Sequence, residues 1–216
     1  MVHRIFLDLD GSLLDVAPRY HRLYCDLVSR LGCRPLDLAD YWTAKRERVP
    51  EPEIMTRTGL SPEAAAWAAA ARSSRIEERR YLRLDRLWPW TLPVLADLAR
   101  RAPLVLVTLR RHPDRLRWQL DRLGLSPRFE RVLASRSNGK PDAKAGLILR
   151  EGFADLEGSV LVGDTEVDVA SGRALGLRTA ALTAGGLRTA ARLAAWSPDA
   201  LLEDLRQVPG WLDSLS

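Results

Sequence analysis

The sequence is poor in cysteine and has no long hydrophobic run. Its two cysteines, Cys25 and Cys33, are too few for a disulfide framework and lack the paired spacing of a zinc site. No apolar stretch approaches the roughly 18 residues that a membrane-spanning helix needs, so no membrane partner is expected. Asp8 and Asp10 follow the first methionine so closely that the apolar core of a secretory signal does not fit. We therefore expect a cytoplasmic protein.

Lysine is also scarce. The formal net charge of +5 is carried almost entirely by arginine, since the lysines are Lys45, Lys140 and Lys144 alone. The arginines are spread along the chain among Asp and Glu residues, and no contiguous basic tract stands out. This pattern predicts no nucleic-acid partner, whereas an anionic small molecule fits the charge well. The oligomeric state is left open by the sequence.

Short apolar runs that end in polar residues or glycine recur along the chain. They predict buried parallel strands at Arg4 to Leu9, Leu104 to Leu109, Arg131 to Ala134, Ser159 to Val162 and Arg178 to Leu182. Amphipathic helical patterns lie between the later runs. This alternation predicts an α/β fold with a doubly wound parallel sheet. A last helix is expected to begin at Ser197-Pro198-Asp199 and to carry Leu201, Leu202 and Leu205.

The interval between Asp15 and Trp88 has no convincing strand pattern. Tyr20, Leu23, Leu27 and Leu31 share one helical face, and Gly32 follows where a helix cap is expected. A second helix is predicted from Ser61, followed by proline at the first helical position. We therefore expect residues 16–88 to form an inserted helical cap and residues 1–15 and 89–216 to form the catalytic core.

Polar residues follow the predicted strands where the strands end. They are Asp8 and Asp10 after the first strand, Thr108 at the end of the second, and Asp164 with Asp168 after the fourth; Lys140 precedes the fourth. In an open parallel sheet, ligands gather beyond the carboxyl ends of the strands. Carboxylates, a hydroxyl and an ammonium at one edge predict a site for a divalent metal and a phosphoryl group.

These residue types suit phosphate-ester hydrolysis. Asp8 and Asp164 offer the hard oxygen ligands that Mg²⁺ prefers, and Lys140 and the Thr108 hydroxyl are expected to hold phosphoryl oxygens. A carboxylate nucleophile would divide the displacement into two steps through an aspartyl phosphate. Asp10 would protonate the leaving alkoxide and then deprotonate the attacking water.

With these residues in this order, the chain resembles the haloacid dehalogenase superfamily of hydrolases, in its phosphoglycolate-phosphatase-like branch with a helical cap. The resemblance covers residues 4–15 and about 88–207 by motif, and the cap only by position and helical character. It implies a Rossmann-like core and a magnesium-dependent phosphatase that acts on a small phosphorylated metabolite. Four motifs in the right order are far more specific than Asp8-Leu9-Asp10-Gly11 alone.

The resemblance also implies a role for each matching residue. Asp8 would be the nucleophile and a metal ligand, and Asp10 the general acid and base, with its backbone carbonyl also on the metal. Thr108 would bind the phosphoryl group together with the backbone N–H of Leu109, although Leu109 stands where a small or polar residue is common. Three residues complete the set: Lys140 to orient nucleophile and phosphate, Asp164 to ligate magnesium and Asp168 to support the metal shell.

Several of these assignments have alternatives. Lys144 competes with Lys140, which is preferred because Pro141 follows it as in the family motif. Asp168 fits equally well as a charge that stabilises a helix N-terminus. Arg110 and Arg111 follow the Thr108 strand end, where they could contact substrate, but solvated charges at a helix start are the favoured interpretation. In the cap, Lys45, Arg46 and Arg48 form either a solvated face or an edge that recognises an anion, and we hypothesise that at least one contacts substrate.

Other functions compete with phosphatase activity. A 2-haloacid dehalogenase could use the same core but would need neither a metal nor an acid for an alkoxide, so Asp10 and Asp164 would have no role. A phosphosugar mutase differs only in transferring the phosphoryl group to a sugar. A signalling receiver domain carries its phosphorylated Asp on a later strand, so the order here is wrong for it. A catalytically inactive binding protein remains an alternative, because motifs do not prove turnover.

Overall fold

The computed structural model describes residues 2–136, 140–153 and 155–215. The described chain divides into two compact units, Met1–Asp15 with Leu87–Ser216 and, inserted between those segments, Val16–Arg86. The strands in chain order are β1 Ile5–Leu7, β2 Leu14–Asp15, β3 Arg86–Leu87, β4 Leu104–Thr108, β5 Arg131–Ala134, β6 Val160–Gly163, β7 Arg178–Leu182 and β8 Ala200–Leu202.

The helices have lengths typical of a small α/β protein. They are α1 Ala17–Arg30, α2 Leu38–Arg46, α3 Glu51–Thr56, α4 Pro62–Arg75, α5 Arg79–Leu82, α6 Thr91–Arg101, α7 Pro113–Arg122, α8 Ala143–Arg150, α9 Glu166–Ala174, α10 Ala190–Ala194 and α11 Val208–Asp213. Short 3₁₀ turns span Ser126–Arg128 and Leu205–Gln207. Within the described ranges, no helix combines the length and apolar character that crossing a membrane requires.

A six-stranded parallel sheet forms the centre of the larger unit, in the order β5-β4-β1-β6-β7-β8. Strand β1 lies between β4 and β6, with Ile5 opposite both Leu104 and Val160. The strand order therefore reverses its direction at β1, and such switch points form ligand crevices beyond the carboxyl ends of the strands. The predicted α/β fold with a doubly wound parallel sheet is confirmed.

Buried apolar side chains explain why these short runs become central strands. The residues of β1 and β4 are buried throughout, as a parallel strand covered on both faces requires. One core cluster joins Phe6, Val107 and Leu161 from the sheet to Leu147 and Ile148 of α8. Helix α8 is thereby packed against the sheet, which determines where its polar residues lie.

The sequence-based prediction for the segment after Ser197 is wrong. Ala200–Leu202 is not helical but forms the edge strand β8, in parallel register with β7. The Asp199 carboxylate accepts hydrogen bonds from the backbone N–H of Thr179 at 2.8 Å and from its hydroxyl at 3.1 Å. These tertiary hydrogen bonds outweigh the local helical pattern of the leucines.

The inserted unit, Val16–Arg86, is built from helices α1 to α5 around its own core. The core includes Leu23, Leu27, Tyr41 and Ile54. Helix α1 ends before Gly32, whose φ of +79° fits the predicted glycine cap. The hydroxyl of Ser61 accepts from the backbone N–H of Ala64 and so caps α4 as the sequence predicts.

Candidate active site

Three buried carboxylates meet at the carboxyl edge of the sheet. Asp8 follows β1, Asp164 follows β6 and Asp168 lies in the first turn of α9. Each offers an oxygen, and these oxygens all lie within 4.8 Å of one another. All three side chains are buried. Hard carboxylate oxygens at this spacing are a suitable donor set for Mg²⁺, so the residues fit the metal that the sequence implies.

Glycine makes this close approach of the acids sterically feasible. Gly11 follows Asp10 with φ +87°, in the region that side chains rarely adopt. A Cβ atom at Gly11 would overlap the carboxylate of Asp164, and one at Gly163 would overlap that of Asp168. The turn after β1 therefore requires glycine for both its conformation and its space.

The structure corrects the lysine assignment. Lys144 in the first turn of α8 donates to Asp8 Oδ1, and to Asp168 Oδ1 at 2.5 Å, with only 3% of its side chain exposed. Lys140, which the sequence favoured, lies before α8 and is exposed. The packing of α8 explains why Lys144 contacts Asp8, because the backbone N–H of Lys144 donates to the hydroxyl of Ser171 on α9. The available signal was the helical pattern from Ala143 onward.

Burial and mutual charge shift the pKa values of these groups. Burial, followed by the charges of Asp168 and Asp10, raises the pKa of Asp8 to about 6, although Lys144 opposes the shift. Burial and the neighbouring Asp8 and Asp168 raise the pKa of Asp164 well above its usual range. Burial alone would lower the pKa of Lys144, but Asp168 and Asp8 outweigh it and the net shift is upward. Lys144 is therefore a cation at neutral pH.

Asp168 has the helix-start role that the sequence offered as one of two interpretations. Its Oδ2 accepts from the backbone N–H of Thr165 at 3.0 Å and from the Thr165 hydroxyl at 2.6 Å, which completes a capping box on α9. Its Oδ1 accepts from Lys144. Asp168 thus stabilises the helix start and also holds the lysine against Asp8.

Asp10 pairs with an arginine that was expected from the sequence to be solvated. Arg110, expected to be solvated, is only 5% exposed, and its Nη2 donates to Asp10 Oδ1 at 2.7 Å and to Gln119 Oε1 at 3.2 Å. Thr108 is buried at the end of β4, the strand beside β1. Its hydroxyl therefore belongs to the same edge of the sheet as Asp8, and Leu109 follows it with a partly buried side chain.

Asp164 is held by two groups that the sequence did not identify. Its Oδ1 accepts from the Ser12 hydroxyl at 3.4 Å, and its Oδ2 accepts from the backbone N–H of Leu187 at 2.5 Å. A backbone donor carries no side-chain signature, so residue type alone offers no means of finding Leu187. Ser12 lies directly after the Asp8-Leu9-Asp10-Gly11 motif, but a lone serine there carries no signal of a contact with Asp164.

Within the inserted unit, the expected cations have different environments. Lys45 donates to Glu51 at 2.7 Å and is 16% exposed, so it does not belong to a solvated face. Arg72 also pairs with Glu51 and lies 4.7 Å from the ring centroid of Tyr20. Arg46 is partly buried, whereas Arg48 is exposed.

The comparisons with known proteins agree on one family. The haloacid dehalogenase-like hydrolase family matches residues 2–176. A plasmid-encoded phosphoglycolate phosphatase of Cupriavidus necator is 30% identical over 96% of this chain and 92% of that protein. An N-acetylmuramic acid 6-phosphate phosphatase of Pseudomonas aeruginosa is 26% identical over 97% and 94%.

A solved structure from Streptococcus pneumoniae has the same fold. It is described as a haloacid dehalogenase-like family hydrolase, and it superposes with a TM-score of 0.76 at 24% identity. The alignment covers 97% of this chain and 98% of that one. The likeness therefore extends over both units of the chain.

Proposed function

The chain belongs to the haloacid dehalogenase-like hydrolases, as a phosphatase of that family, and we propose that it hydrolyses a small-molecule phosphomonoester with Mg²⁺ through an aspartyl phosphate. The proposal rests on one observation. Asp8, Asp164 and Asp168 form a buried cluster of carboxylates, and Lys144 contacts Asp8, the proposed nucleophile. A cytoplasmic location and a small phosphorylated metabolite as substrate are part of the proposal.

In the proposed reaction, a carboxylate oxygen of Asp8 attacks the phosphorus atom and the bond to the ester oxygen breaks. Asp10 gives its proton to the departing alkoxide. It then takes a proton from a water molecule that attacks the aspartyl phosphate, which releases inorganic phosphate and restores Asp8. Arg110 fixes the Asp10 carboxylate in place through its 2.7 Å hydrogen bond.

The remaining groups manage charge and orientation. Lys144 holds Asp8 and, after transfer, offers its ammonium to the phosphoryl oxygens in the role first given to Lys140. Thr108 donates its hydroxyl to the phosphoryl group. When bound, Mg²⁺ would be held by Asp8, Asp164 and the Asp10 carbonyl, and would neutralise charge on the phosphoryl oxygens. Asp168 supports this shell through Lys144.

The names of the relatives suggest a substrate class. Phosphoglycolate and N-acetylmuramic acid 6-phosphate are both phosphomonoesters of carboxylic acids. We therefore propose that organic-acid phosphates come first in any substrate screen. We also propose that the inserted unit acts as a cap that sets specificity, with one of Lys45, Arg46 and Arg48 contacting the non-phosphate end of substrate. An unchanged KM for the physiological substrate after charge reversal of these three residues would refute this cation–substrate contact.

Phosphatase chemistry fits this site better than dehalogenation does. Arg110 donates to Asp10 and the backbone N–H of Leu187 donates to Asp164, and dehalogenation would require neither acid. Phosphoryl transfer to a sugar would use the same residues, and product analysis separates it from hydrolysis.

The test is a screen of phosphate esters for release of inorganic phosphate, with and without Mg²⁺, against Asp8→Asn. We expect Mg²⁺-dependent release by the natural protein and none by the variant, because an amide is a poor nucleophile. Release that persists in Asp8→Asn would refute the nucleophile assignment. No release from any ester would favour a binding protein.

A further inference from the structure

A short loop after β7, residues 185–188, lies directly against Asp164. The Leu187 N–H donates to Asp164 Oδ2 at 2.5 Å. At Gly186, an added Cβ atom would come within 2.8 Å of both Cβ and Oδ2 of Asp164. The loop backbone is therefore packed so closely on Asp164 that a displacement of the loop would also displace the carboxylate's hydrogen-bond donor.

A partly buried ion pair holds this loop to helix α9. Arg188 Nε lies 2.9 Å from Oε1 and 2.7 Å from Oε2 of Glu166, and Arg188 Nη1 donates to the Leu187 carbonyl at 2.7 Å. Glu166 is 5% exposed and Arg188 is 18% exposed. One guanidinium thus binds the first residue of α9 and the peptide next to the donor on Asp164.

The residues of the Glu166–Arg188 ion pair lie close in the chain to Asp164 and Leu187. Glu166 is two residues from Asp164, and Arg188 is adjacent to Leu187. The Glu166–Arg188 ion pair therefore joins the chain just after Asp164 to the chain just after Leu187. Hydrogen bonds that orient a metal ligand change metal affinity by about 10- to 100-fold when they are removed.

We propose that the Glu166–Arg188 ion pair is a positioning device that keeps the Leu187 N–H on Asp164 and so holds this carboxylate ready for a divalent cation. The inference rests on the proposed function, since it assigns Asp164 to the metal. Neither Glu166 nor Arg188 needs to contact the metal or the substrate. Their effect is expected in metal affinity rather than in the chemical step.

The experiment measures binding of Mn²⁺, as a probe ion, to the full-length protein without substrate, by calorimetry and electron paramagnetic resonance. The variants are Glu166→Gln, Arg188→Gln and the double variant. Arg178→Gln is the matched control, because Arg178 pairs with Asp199 at 2.9 Å on the protein surface, in an ion pair away from Asp164. Arg188→Lys keeps the charge but lacks the second nitrogen that donates to the Leu187 carbonyl while the first contacts Glu166.

We expect each single variant to weaken Mn²⁺ binding about 10- to 100-fold. Glu166→Gln also loses the contact of Arg192 Nη2 with Glu166 Oε1 at 3.9 Å, so the double variant should bind Mn²⁺ no more weakly than Glu166→Gln does. Arg188→Lys should fall between wild type and Arg188→Gln, and Arg178→Gln should match wild type. With a phosphate ester, the Mg²⁺ activation constant should rise while kcat at saturating Mg²⁺ recovers.

Affinities for Mn²⁺ within about twofold of wild type in all Glu166 and Arg188 variants would overturn the inference while leaving the proposed function intact. An equal loss in Arg178→Gln would also overturn it, because the effect would then not be local. If wild type binds no Mn²⁺ and releases no phosphate, the proposed function fails and this inference with it. If Glu166→Gln does not fold, the Arg188 variants decide the outcome alone.

Discussion

Replacing Lys144 by methionine tests the centre of the site most directly. Methionine keeps much of the length and apolar stem of lysine but removes the charge. In the metal-free protein, three buried carboxylates would then lie within 4.8 Å of one another without the ammonium that contacts Asp8 and Asp168. Removing one partner of a buried ion pair costs about 3–5 kcal/mol, so the free energy of unfolding should fall by that order.

Lys144→Met should also lower the catalytic rate strongly. Loss of one well-placed donor to a reacting oxyanion lowers kcat by about 10²- to 10³-fold, and Lys144→Met should lie in this range. Mg²⁺ should restore part of the lost stability, because it supplies positive charge to the same carboxylates, but it should not restore the rate. The assays are urea unfolding with and without Mg²⁺ and phosphate release at saturating Mg²⁺.

Lys140→Met is the matched control. Lys140 is exposed, and surface substitutions usually change stability by less than about 0.5 kcal/mol. We expect it to unfold like wild type and to keep its activity. The reasoning would be refuted if Lys140→Met lost activity while Lys144→Met retained it, because the lysine contacts described above would then not be those of the working enzyme.

Four further predictions concern the same edge of the sheet. Gly11→Ala should abolish metal binding and destabilise the fold, because its Cβ would overlap Asp164. Gly59→Ala is the control, because Gly59 has φ +90° with open space around it and the substitution therefore adds only backbone strain of about 1 kcal/mol. Equal losses of stability in both variants would contradict the overlap. Thr108→Val should lower kcat/KM by about 10²-fold with an unchanged melting temperature, whereas Thr108→Ser should retain most activity; equal rates would remove the hydroxyl from the mechanism. Because the pKa of Asp8 is raised to about 6, its ionised form dominates above that pH, so Mn²⁺ affinity should fall about tenfold per pH unit as the pH drops below 6; a flat profile from pH 7 to 5 would refute this. The same raised pKa predicts that the Asp8 contribution to stability of the metal-free protein decreases as pH rises from about 4 to 6, since the folded state binds the extra proton.

The inserted unit shows which structural features the local sequence pattern predicts. The α1 face from Leu23 to Val28 and the Ser61 cap of α4 both appear where the sequence predicts them. Helix periodicity and caps depend on neighbours within about four residues, so the chain alone reveals them. The segment at Ala200–Leu202 is the counterexample, because hydrogen bonds to β7 and to Thr179 decided its conformation.

For the site, the sequence by itself determined which strand ends carry acids and a hydroxyl, and therefore where Asp8, Thr108 and Asp164 lie. Buried apolar runs define parallel strands, and parallel strands bring their carboxyl ends to one edge. Only the tertiary structure decided which lysine reaches Asp8, that Arg110 turns inward to Asp10, and that Leu187 donates to Asp164. The Lys144–Asp8 contact joins residues 136 positions apart, and helix packing, rather than any local pattern, sets such a distance.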